Sequence, residues 1–193
     1  DTVAPPAGFQ KGQYLTSKNG ELVIALEISS KELEFQSDHR LSVIAHEYFH
    51  WYQSSLQSGE MFSFECKWMI EGAAAAFESM YLDQYHDIDT YFEDSQLRHV
   101  PSGDPNPAEY ELYSTSERNY GYSVYMMLIL ASHTSFQKVF VDFWEQTPQS
   151  SNWRDIFSAT FGMSVDAFYD IVRTKPDKGS LIPAQGTLLT VQF

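Results

Sequence analysis

A chain of 193 residues with 43% hydrophobic and 16% aromatic content holds enough apolar material for one domain with its own core, which excludes wholesale disorder. Its 26 acidic against 12 basic residues give a formal charge of −14, a field that repels nucleic acid. The one cysteine, Cys66, excludes an intrachain disulfide, and no apolar run approaches the ~18 residues of a membrane span.

Residues 1–10, with Pro5, Pro6 and Gly8, read as an extended arm. The chain opens on Asp1 with no apolar leader in view, which suits either a mature secreted or periplasmic form or a trimmed piece of a longer chain. Asn19-Gly20 is a tight-turn signal between two β-prone runs and predicts a hairpin with strands near 12–16 and 21–28. A helix follows from Ser37 or Asp38 to about Ser58, with Leu41, Ala45, Tyr48, Tyr52 and Leu56 on one stripe and Gly59 closing it. An Ala-rich, Pro-free stretch predicts a second helix from about Phe64 to Tyr85. Cys66, at its start, reads as a small buried hydrophobe.

A short helix is expected over 88–98 and a loop over 101–107 (PSGDPNP). Tyr120–Ser132 is a third strong helix, and 135–146, 151–160 and 164–174 are three more. Phe136, Phe140, Phe143 and Trp144 keep helical spacing and read as core. Pro176, Gly179 and Pro183 then break the pattern, and TLLTVQF reads as a final strand. The expected architecture is a mainly α single domain with a small N-terminal β element: arm and hairpin over 1–36, a helical body over 37–175 and an extended tail over 176–193.

His46-Glu47-Tyr48-Phe49-His50 is an H-E-x-x-H sequence inside the first helix. Residues four apart on a helix are rotated by only about 40°, so two imidazoles stand one turn above each other and face one Zn²⁺ from the same side. Glu47 is about 60° round from His50, within reach of a water on the metal without binding the metal. Two histidines leave a catalytic site one ligand short. The metzincin pattern needs Gly and His where this chain has Gln53 and Leu56, so the remaining option is a carboxylate from a later helix, and Glu71 supplies one.

HEYFHWYQ followed by WMIEGAAAAFE resembles the gluzincin zinc metallopeptidases, the group with H-E-x-x-H and a downstream glutamate. The likeness is to the branch holding bacterial collagenase-like and aminopeptidase-like peptidases, whose third ligand sits in a W-x-x-E-G-x-A segment, and it covers roughly 38–85 and 118–173. The resemblance implies a zincin-like catalytic domain, with His46, His50 and Glu71 as zinc ligands and Glu47 as the base that activates the zinc-bound water. It also implies a tyrosine that donates to the oxyanion, Tyr120 with Tyr122 in reserve, and a peptide or protein substrate. Where many gluzincins carry an acidic residue four after the third ligand, this chain has Ala75, so Glu78 or a backbone carbonyl must orient the ligand histidine. The strand ELVIALE is a candidate edge for an extended peptide. A zinc hydrolase of non-peptide amides or esters, and an inactive metal-stabilised binding module, are the competing readings. Lone His39, His86, His99 and His133 read as surface or supporting residues, and Asp83, Asp87 and Asp89 as a solvated acidic turn.

Overall fold

The computed structural model describes residues 13–16, 22–25, 34, 37–56, 66–112, 117–149 and 152–193. The N-terminal arm, the Asn19-Gly20 turn and Gly59 lie outside them. Strands β1 (Gln13–Thr16) and β2 (Leu22–Ala25) pair antiparallel, with Tyr14 opposite Ile24 and Leu15 opposite Val23. The rest of the described chain is mainly helical.

Three long helices make the body: α1 (His39–Leu56), α2 (Lys67–His86) and α3 (Glu117–His133). α2 packs against α1 on one side and α3 on the other. Its residues from Gly72 to Met80 are all buried, as suits a helix apolar around most of its circumference. α3 is buried without a break from Gly121 to Ala131. The close fit between α2 and α3 is set at Gly72, where an added Cβ would lie 2.8 Å from the Ser123 carbonyl oxygen. The absence of a side chain at Gly72 therefore lets α3 approach α2 closely.

The segment expected as a short helix over 88–98 is helical from Phe92, as a π-helix at Phe92–Gln96 followed by a 3₁₀ helix at Leu97–His99. After α3 the chain runs through a wide turn at Lys138–Asp142 into α4 (Phe143–Gln146), then α5 (Trp153–Phe161) and α6 (Val165–Arg173). Asn152 and Ser164 cap α5 and α6 by accepting backbone N–H bonds, and Gly162, at φ 73°, ends α5 in the left-handed conformation. Two aromatic groups fill the core. Phe49 stacks on Phe77 with Phe140 edge-on, and Trp68 stacks on Phe168 beside Phe157 and Trp153. The Trp68 indole donates to the Tyr169 hydroxyl, which donates to Glu111, and Arg154 pairs with the same carboxylate oxygen. Cys66 is fully buried just ahead of α2, and burial pushes its thiol pKa well up.

Two expectations fail here. The tail is not extended: it forms α7 (Lys178–Leu181) and a turn at Thr187–Thr190, where a final strand was expected. TLLTVQF has β propensity, but no strand among the described residues pairs with it, and burial of Leu188 and Val191 against the helices decides its path. The inward stripe of α1 is also displaced. Tyr48 is 48% exposed, and Ser42, Ala45, Phe49, His50 and Gln53 face inward. Apolar spacing misplaced that stripe because three of its members are polar.

Candidate metal centre

The site lies between α1 and α2. α1 projects His46 and His50 from successive turns. α2 projects Glu71 and, two turns on, Glu78, with Ala74 and Ala75 between them on the same stripe by helical spacing. The Nε2 atoms of His46 and His50 are 3.1 Å apart, and Glu71 Oε2 lies 3.4 Å from the first and 3.3 Å from the second. The His46, His50 and Glu71 side chains are 11–13% exposed.

The outer nitrogens are each held. His46 Nδ1 is 2.8 Å from Glu78 Oε2, and Gln96 Nε2 donates to the other oxygen of that carboxylate at 2.9 Å. His50 Nδ1 is 2.8 Å from Gln53 Oε1. Glu78 thus takes the orienting place that Ala75 leaves open. Gln53 does the same for the second histidine, a role its position in the sequence does not announce. A carboxylate or an amide oxygen can only accept, so both Nδ1 atoms carry hydrogen. The neutral form of each ring then turns a bare Nε2 lone pair towards Glu71.

Three lone-pair donors therefore converge. With zinc–ligand bonds of about 2.05 Å, the edges of a tetrahedral site are about 3.3 Å long. The triangle of 3.1, 3.3 and 3.4 Å matches that spacing. The residues fit a zinc-sized divalent cation.

Electrostatics point the same way. Burial alone would lower the pKa of His46, but the carboxylates of Glu78 and Glu71 outweigh it and push it up to about 10. Burial would raise the pKa of Glu71, but His46 and His50 hold its carboxyl well below the usual range. The facing carboxylate and imidazoles thus favour positive charge at the centre.

Tyr120, from the second turn of α3, stands with its ring 6.0 Å from that of His46 and its hydroxyl hydrogen-bonded to Glu71. Burial first, then the charges of Glu71, Glu78 and Glu47, raise its pKa, so it remains an O–H donor. Half-buried Glu47 thus lies near enough to act on Tyr120. Tyr122 points elsewhere. Its ring packs on Tyr110 at 4.4 Å and its hydroxyl donates to the Pro105 carbonyl. Of the two candidate tyrosines, only Tyr120 is at the centre.

No family model matches the chain, no curated protein is similar to it in sequence, and no solved structure is similar to it. The functional reading rests on the motif and on this geometry. No single helix among the described residues is long and apolar enough to cross a membrane.

Proposed function

We propose that this chain is a zinc metallopeptidase of the gluzincin type, a zincin-like catalytic domain with His46, His50 and Glu71 as zinc ligands. The observation that carries this reading is the triangle of three acceptor atoms, two of them fixed from behind by Glu78 and Gln53. A zinc ion held there supplies Lewis acidity, which polarises a substrate carbonyl and brings water towards a pKa of ~7.

Glu47 follows His46 on α1, is not one of the three donors, and is the base of this reading. It takes the proton of the attacking water and passes it to the leaving amine. Tyr120 turns its hydroxyl from Glu71 to the carbonyl oxygen as that atom gains charge. Tyr120 is a phenol kept protonated by its neighbours, and so is the donor of the pair. Glu47 also weighs against a binding module, since a structural site needs no base and fills its fourth position with Cys or His.

The test is hydrolysis of a peptide library by the purified chain, with zinc and with chelator, alongside Glu47→Gln. Chelator should abolish cleavage. The variant should retain zinc while losing turnover by about two to four orders of magnitude. Full turnover by Glu47→Gln would remove the base assignment. Cleavage of esters or small amides with none of peptides would move the substrate class.

A further inference from the structure

Gln53 is fully buried and is joined to both helices of the site. Its amide nitrogen donates to the Ile70 carbonyl at 3.2 Å, and its amide oxygen faces His50 Nδ1 at 2.8 Å. The Ile70 carbonyl accepts and cannot donate, so only one orientation of the amide avoids setting oxygen against oxygen. That orientation presents Oε1 to His50, which forces hydrogen onto Nδ1 and leaves Nε2 bare.

Ile70 also immediately precedes Glu71. One side chain thus fixes the ring state of a ligand on α1 and the backbone that delivers a ligand on α2.

We propose that Gln53 is a positioning residue that sets the His50 tautomer and locks it in register with Glu71, so that the centre is formed before a metal arrives. The inference rests on the metal-centre reading of His46, His50 and Glu71 for its purpose, but its geometry is testable without metal. Any polar core residue could support packing. The tautomer is what a packing role would leave unchanged.

The experiment uses the full chain, wild type and two variants. Gln53→Met keeps the volume but loses the amide. Gln53→Glu keeps an acceptor for His50 and loses the donor to Ile70. Long-range ¹⁵N–¹H correlation on the metal-free protein near pH 8 reads the His50 tautomer, and chelator competition reads zinc affinity.

The wild type should show hydrogen on Nδ1 of His50. Gln53→Met should shift the ring towards hydrogen on Nε2 and weaken zinc about 10- to 100-fold. Gln53→Glu should keep the wild-type tautomer and still weaken zinc, because the tie to Ile70 is cut. An unchanged tautomer together with unchanged zinc affinity in Gln53→Met overturns the proposal. If that variant fails to fold, a Gln53→Glu protein with wild-type zinc affinity overturns the link to Glu71. A wild type with the stated tautomer and no affinity for zinc would sink the metallopeptidase reading and leave Gln53 in its role.

Discussion

Gly121 of α3 lies against Gln96: an added Cβ would stand 2.5 Å from the Gln96 carbonyl oxygen. Gln96 in turn holds Glu78, and Glu78 holds His46. A glycine with no functional group is thus three contacts from His46, one of the proposed zinc ligands. Gly121→Ala must push the Gln96 segment away. It should cost about 1–3 kcal/mol in denaturant unfolding and weaken zinc binding severalfold in the same protein. Lost stability with intact zinc affinity would show that the Gln96–Glu78 contact is dispensable.

Glu78 itself should matter more. Glu78→Gln can still accept from His46 but loses its charge, and Glu78→Ala leaves Nδ1 without its partner. Zinc affinity should fall about 10-fold for the first and towards 100-fold for the second, read by chelator competition.

Zinc binding should strengthen with pH. The His46 pKa is 6.5 in an unfolded chain and about 10 in the metal-free fold, so the stability it contributes is complete below about 6.5 and is lost as pH rises through 10. Glu71 is shifted the other way, so its contribution is present above about 4.5 and fades as pH falls. The cluster therefore favours the metal-free fold most between about pH 4.5 and 6.5. A zinc ion must displace the His46 proton, so affinity should rise up to about tenfold per pH unit between pH 7 and 9. A flat profile would mean that no proton leaves.

Tyr120→Phe removes the only tyrosine hydroxyl that the described residues bring to the centre, and Tyr122→Phe removes one bonded to a loop carbonyl. The first should lower kcat about 100- to 1,000-fold with KM and zinc affinity little changed, and the second should leave kcat alone. Steady-state kinetics on the two variants separates the roles.

The parts of the site that were legible in the sequence are the local ones. H-E-x-x-H is four residues on one helix, and its spacing is its geometry. Glu71 was legible through the segment around it. Gln53 and Gln96 were not, because an amide acquires a role only from what it touches. Gln53 meets a carbonyl 17 positions away, and Gln96 a carboxylate 18 positions away. Elsewhere the same reason holds. Helices with strong apolar spacing, such as Tyr120–Ser132, appeared close to where expected. The α1 stripe was misplaced by polar core residues, and the last strand by a propensity that finds no pairing partner among the described residues.

The lone sulfhydryl sealed ahead of α2 makes the molecule its own reporter. A thiol reagent can reach buried Cys66 only when the fold around it opens, so its modification rate reports openings around the start of α2. An ion bridging α1 and α2 would suppress such openings in proportion to its occupancy. The kinetics of alkylating a single atom would then count bound metal.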